Sequence, residues 1–212
     1  MPVNQEAYAN IKTELSSAGI SLVAVSKTKP VSDISELYEL GQRDFGENYV
    51  QELVEKEAQL PKDIRWHFIG HLQSNKVKYI ATFVHLIHGV DSLKLLKEID
   101  KQGKKSGRKI SCLLQVHIAR EETKFGMDAN ELAEAIEAAK SLEHVSIAGL
   151  MGMASFSSQQ ELVQAEFHFL NSLFQTYPGL QYLSMGMSGD YQLAIREGSN
   201  MVRIGSLLFG SR

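Results

Sequence analysis

The sequence carries a single cysteine, Cys112, in 212 residues. One thiol excludes an internal disulfide and any multi-cysteine zinc site. Cys112 stands inside the apolar run 110–116, where a buried, inert thiol is expected rather than a nucleophile. The simplest compartment for such a chain is a reducing cytoplasm. Charge excess is missing too. The 22 Lys and Arg stand against 25 Asp and Glu, with both signs scattered and a net charge of -3. That balance argues against a surface for nucleic acid or anionic membrane. No apolar run approaches the roughly 20 residues of a membrane span. The polar first ten residues lack the apolar core of a secretion signal. No composition break or linker divides the chain. Hydrophobic residues make up 43%, which excludes the disordered and fibrous classes and supplies one sizeable core.

What is present is a regular alternation of strand and helix signals. Ala7, Ile11 and Leu15 recur at helical spacing before Gly19, predicting a first helix over about 4–18. Apolar, β-branched runs predict strands at 20–26, 43–45, 64–70, 84–90, 110–118, 145–151, 182–187 and 201–204. Between them lie amphipathic stretches. Two of these open on apparent capping boxes, Asp33-x-x-Glu36 and Asp128-x-x-Glu131. Residues 103–108 read as a polar, flexible turn, and 158–176 as a helix. Strict alternation demands parallel neighbours and right-handed crossovers. Eight such units predict a closed α/β barrel of the (β/α)8, TIM type, short for that fold and therefore lean in its loops. The alternative is an open doubly wound sheet. Its glycine-rich dinucleotide fingerprint does not follow the first strand, and no G-x-x-x-x-G-K-[ST] loop occurs.

The first strand ends at Ser26-Lys27-Thr28-Lys29-Pro30. Barrels place their chemistry at carboxyl strand ends. An amine held at Lys27 can pair with an anion or form a Schiff base with an aldehyde. Two later loops have the character of anion sites. One is Gly186-Met187-Ser188-Gly189-Asp190, and the other is Arg203-Ile204-Gly205-Ser206. Glycine admits close approach of an oxyanion, and serine at a helix start sets a hydroxyl beside open N–H groups. Barrels often bind phosphate after their seventh and eighth strands. Arg203 adds a charged donor. His67 and His71 straddle a strand end, without the acidic or cysteine partners of a metal site. The other histidines are dispersed, and no G-x-S-x-G elbow occurs. A ligand with both an aldehyde and a phosphate would use both features. Pyridoxal 5′-phosphate (PLP) fits, as does the phosphosugar of a Schiff-base aldolase, and the residues alone leave this open.

Six ordered stretches carry a more specific signal. They are Ala24-Val25-Ser26-Lys27-Thr28-Lys29-Pro30, 45–52 (FGENYVQE), 66–76 (WHFIGHLQSNK), Gly149-Leu150-Met151, Ser184-Met185-Gly186-Met187-Ser188 and Val202-Arg203-Ile204-Gly205-Ser206. Across essentially the whole chain this pattern resembles the pyridoxal phosphate homeostasis protein family. The resemblance implies a single domain over 1–212, an alanine racemase N-terminal-domain-like barrel of fold type III, with an extra N-terminal helix and no C-terminal β domain. It implies PLP held as an imine on Lys27. It further implies phosphate contacts at Ser188, Arg203, Gly205 and Ser206, with Asn48 facing the cofactor pocket. His71 stands where many members have proline, and Gly189 where many have an acidic residue. The family expectation is a cytoplasmic monomer acting as a PLP carrier or regulator, without a metal, catalytic turnover, nucleic acid or membrane. PLP-dependent apo-enzymes are the candidate recipients. A barrel-only amino-acid racemase is the second hypothesis and a phosphosugar aldolase the third.

Overall fold

Strand β1 (Ser21–Val25) shows why this chain closes on itself. Leu22 and Ala24 pack in the large core against the helices, whereas Val23 packs in a smaller cluster with Leu86, Leu113, Met151 and Met201. A strand apolar on both faces must be covered on both, which is the condition of a parallel sheet. A computed structural model describes residues 3–121 and 123–210. In it β1 pairs with β2 (Asp44–Glu47) on one side and with β8 (Met201–Ile204) on the other. The remaining strands are β3 (Arg65–Phe68), β4 (Leu86–Val90), β5 (Ile110–Gln115), β6 (Val145–Met151) and β7 (Tyr182–Met187). All pairs are parallel, and the order β1 to β8 forms a closed barrel. The predicted (β/α)8 architecture is therefore the observed one.

Helix α1 (Gln5–Ser17) precedes the barrel and contacts the last helix, so it is the expected extra element. It begins where the Asn4 side chain accepts the Ala7 N–H. Outside the strands lie α2 (Val31–Glu39), α3 (Val50–Gln59), α4 (Val77–Ile80), α5 (Leu93–Ser106), α6 (Ala129–Ala139), α7 (Gln160–Gln175), α8 (Tyr191–Arg196) and α9 (Ser206–Phe209). The capping box at Asp128 is complete, with both reciprocal bonds to Glu131 formed. The one expected at Asp33 is not. Helix α2 starts three residues earlier, after Pro30, whose fixed φ of -68° leads directly into the first turn. The predicted turn at 103–108 is also corrected. Helix α5 runs on through Ser106, and Gly107 closes it at φ 66°. Gly103 is there for packing: a Cβ on it would stand 2.6 Å from the His144 carbonyl oxygen. The strands expected at 84–90 and 110–118 are shorter, 86–90 and 110–115, because their flanking residues turn into loops. Among the described residues no helix is long and apolar enough to cross a membrane.

Candidate functional site

Lys27 is half-buried, two residues past the end of β1. The backbone on either side of it is tied down. Ser26 is fully buried, and its hydroxyl donates to Glu47 Oε1 at 2.6 Å. The ammonium of Lys56, on α3, donates to the Ser26 carbonyl at 2.8 Å, to Glu47 Oε1 at 2.7 Å and to Glu52 Oε1 at 2.7 Å. Glu52 in turn accepts the Thr28 N–H at 2.6 Å. Thr28 has φ 64°, the only positive φ outside glycine among the described residues. A β-branched residue in the left-handed region is strained by about 1–3 kcal/mol and persists only when its surroundings fix it. Here Glu52 does so. The next residue, Lys29, donates to the carbonyl of Phe209 at 2.7 Å, joining the first strand end to the end of α9.

The other sequence-selected residues fall on neighbouring strand ends. Ser188 follows β7, Gly205 and Ser206 follow β8, Lys27 follows β1, and Asn48 follows β2. These four ends are consecutive around the carboxyl rim and span about three strand spacings, roughly 14 Å. Direct contacts join them. The Gly205 N–H donates to Ser188 Oγ at 3.2 Å. A Cβ on Gly205 would stand 3.2 Å from the Val25 carbonyl oxygen. Helix α9 opens at Ser206, and the first-turn N–H groups of any helix have no partners within it. Asn48 Oδ1 is buried with no hydrogen-bond partner among the described residues. Arg203 departs from this rim grouping. Its side chain enters the barrel interior, where Nη1 donates to the Ser184 carbonyl at 2.9 Å and Oγ at 2.7 Å, and Nη2 donates to the Gly152 carbonyl at 3.1 Å. Burial lowers its pKa to about 10, so the guanidinium stays charged at neutral pH.

The histidines group in a way their spacing does not show. His71 turns away from His67 and bonds through Nδ1 to Asp91 at 2.9 Å, its ring stacked 3.9 Å from that of Phe125. His67 instead joins Asp44 and His85, with ligand-type atoms of all three within 4.8 Å. Arg65 hydrogen-bonds both Asp44 oxygens, so a guanidinium already sits where a cation would need that carboxylate. Cys112 is buried and burial raises its pKa, as an inert thiol requires.

Sequence reasoning did not find Glu47, Glu52 and Lys56 as a network. One signal was available. Val50, Leu53 and Lys56 are the buried residues of α3, so a lysine occupies a place in the helix's apolar stripe. A lysine there needs an anion.

The description "alanine racemase, N-terminal domain" matches residues 5–212. A pyridoxal phosphate homeostasis protein of Aquifex aeolicus is 42% identical over 197 residues, covering 90% of this chain and 86% of the relative. One of Schizosaccharomyces pombe is 38% identical over 211 residues, covering 96% and 89%. The solved structure of PipY from Synechococcus elongatus, without PLP, is 38% identical and superposes with a TM-score of 0.90 over 97% of this chain and 99% of its own. The same protein solved with PLP bound gives 37% and 0.88 over the same shares. An alanine racemase of Bartonella henselae shares the fold at 18% identity and a TM-score of 0.76, over 97% of this chain and 62% of its own. The chain belongs to the alanine racemase N-terminal-domain family and, within it, to the pyridoxal phosphate homeostasis proteins.

Proposed function

We propose that this chain binds PLP at the carboxyl rim and holds it as a Schiff base on Lys27, in the service of intracellular PLP homeostasis and without turnover. The observation that carries this reading is the pinned backbone of residues 26–28. It fixes the backbone from which the half-buried Lys27 side chain leaves β1, beside the Gly205–Ser206 loop after β8. The PLP-bound structure of the 37% identical PipY supports the choice of ligand. The residues present suit the group. Asn48 offers a buried oxygen without a partner among the described residues, Ser188 and Gly205 bridge two loops, and α9 opens at Ser206 on the rim. When bound, the cofactor supplies an aldehyde that an amine can capture reversibly. Lys27 Nζ bonds to the aldehyde carbon, and the carbonyl oxygen leaves as water. Ser188, Gly205 and Ser206 hold the phosphate. Asn48 orients the ring from the β2 side. Arg203 places its charge beneath the rim, from inside the barrel.

Racemisation needs a base on each face of the substrate carbanion. The charged groups tied to the Lys27 backbone, Glu47 at the end of β2 and Glu52 and Lys56 on α3, are committed to one another. One observation favours a second reading, a barrel amino-acid racemase: the His71 imidazole is oriented by Asp91 on the same rim. The test is the visible absorbance of the purified protein incubated with PLP, followed by borohydride reduction and peptide mapping. The expected result is a pyridoxyl label on Lys27, absent in Lys27→Ala. A label that persists in that variant, or a wild-type protein that takes none, overturns the assignment. Amino-acid turnover lost in His71→Asn would replace the carrier with the racemase.

A further inference from the structure

The barrel interior holds a line of polar side chains where aliphatic packing would be expected. It begins at the lower mouth with Asp44, the first residue of β2, which Arg65 clasps. His67 Nε2 lies 3.0 Å from Asp44 Oδ1. His67 Nδ1 lies 2.9 Å from His88 Nε2, and His88 Nδ1 lies 3.2 Å from Ser184 Oγ. Ser184 Oγ accepts from Arg203 at 2.7 Å. His67, His88, Ser184 and Arg203 are all buried.

The two ends decide where every proton sits. A guanidinium only donates, and an ionised carboxylate only accepts. Burial alone would raise the Asp44 pKa, but the hydrogen bonds from His67 and Arg65 and the Arg65 charge hold the group below the usual carboxylate range. Ser184 therefore accepts from Arg203 and passes its single proton to His88 Nδ1. His88 then carries its own proton on Nε2 and donates to His67 Nδ1. His67 carries its proton on Nε2 and donates to Asp44. All four contacts are satisfied, in one direction, with both imidazoles neutral. Any other neutral pairing sets two lone pairs against each other at one contact, or two N–H groups. An imidazolium at His67 would make His88 donate to Ser184, whose hydroxyl proton then has no acceptor among the described contacts. Burial, with the Arg203 charge nearby, holds His88 well below its ordinary value. Burial also lowers His85, with Arg65 and Arg108 acting in the same sense and Asp44 against them.

We propose that His67 and His88 are positioning residues for Arg203. Through Ser184 they form a one-way chain that fixes the guanidinium beneath the carboxyl rim. Its effect on a ligand rests on the PLP reading above. A fixed positive charge disfavours protonation of any nitrogen held over it. Loosening the chain lets that charge move away, and the protonation midpoint of the bound ligand rises.

Two experiments test this. Nitrogen-15 spectra of the histidine side chains, taken without ligand from about pH 5 to about pH 8, read the tautomers directly. An Nε2–H tautomer is expected at both imidazoles, with His88 neutral across the range. An Nδ1–H tautomer or an imidazolium at His67 or His88 at neutral pH overturns the chain. With PLP, the pH midpoint of the visible band is compared in wild type, His88→Asn, Ser184→Ala and Ser184→Thr. Ser184→Ala is a small change that guards against a poorly folded His88 variant. His88→Asn and Ser184→Ala are expected to move the midpoint up by about one unit, a tenfold change in the proton equilibrium. Ser184→Thr, which keeps the hydroxyl, is expected to restore it. An unchanged midpoint in Ser184→Ala, with the label still on Lys27, overturns the positioning role. A wild-type protein that takes no label defeats the PLP reading instead and leaves the tautomer measurement to decide the chain.

Discussion

Two polar networks lie on opposite sides of the same strand wall. On the helix side, Ser26, Glu47, Glu52 and Lys56 form a charged cluster whose bonds reach the main chain of the Lys27 loop. On the barrel side, Asp44, His67, His88, Ser184 and Arg203 form a chain whose middle members are neutral and whose bonds end on a side chain. The first holds a strained backbone in place. The second orients one guanidinium. The networks should therefore fail differently. Removing a partner from the first strands a charge, whereas altering the second reverses or breaks a direction.

The sharpest break is at Lys56. Its side chain is 6% exposed and that of Glu47 is 0%. Breaking a buried pair by removing one partner costs roughly 3–5 kcal/mol. Lys56→Met should therefore lower the melting temperature by about 10 °C in a chain of this size. Burial already holds the Glu47 pKa above its ordinary value, against the pull of Lys56 and Ser26. A carboxyl raised in the folded state binds its proton more tightly there than when unfolded. Stability of the variant should then recover as pH falls through the folded value, and thermal melts across that range would show the deficit shrinking. Glu47→Gln combined with Lys56→Met should regain part of the loss. A Lys56→Met protein as stable as wild type would mean that the helix-side network contributes nothing.

Asp44 tests the other side with a smaller effect. Its folded pKa lies below the unfolded value, so it contributes stability that is present above that value and lost as pH falls toward the folded one. Asp44→Asn should cost about 2 kcal/mol at neutral pH, in the range of charged hydrogen bonds. It should also flatten the acid limb of the stability curve. Urea melts at neutral and at acid pH would show both. An acid limb as steep as wild type would show that another carboxyl governs it.

The unequal legibility of the two networks has a physical cause. Strands β6, β7 and β8 have the bounds expected of them, and the loops of Lys27, Ser188 and Gly205 fall on strand ends as expected, because each is written in a short run of adjacent residues. The contacts of the interior chain join residues 21 and 96 apart. They exist only once barrel closure turns alternate residues of β2, β3, β4, β7 and β8 inward, and the same histidines look dispersed in sequence. Lys56 and Ser26 are 30 apart and meet only because α3 folds back over β1 and β2. Arg203 belonged by sequence to a phosphate loop. The strand period of two sends it into the barrel, while Gly205 and Ser206 stay on the rim.

Thr28 offers the finest comparison, because the helix-side network holds strain that nothing in the interior chain resembles. Thr28→Gly removes the steric cost of φ 64° but adds chain entropy to the unfolded state, about 0.5–1 kcal/mol against the fold. The two effects nearly cancel, so stability should change by no more than about 1 kcal/mol in either direction. The informative readout is the loop itself. With glycine, the Glu52 bond to the residue 28 N–H is no longer needed to hold a disfavoured conformation. Glu52→Gln should therefore cost less in the Thr28→Gly background than in wild type. A double-mutant cycle on chemical unfolding measures that difference. Equal costs in both backgrounds would mean that Glu52 serves Lys56 alone. The backbone beside Lys27 would then be fixed by the Lys56 bond to the Ser26 carbonyl.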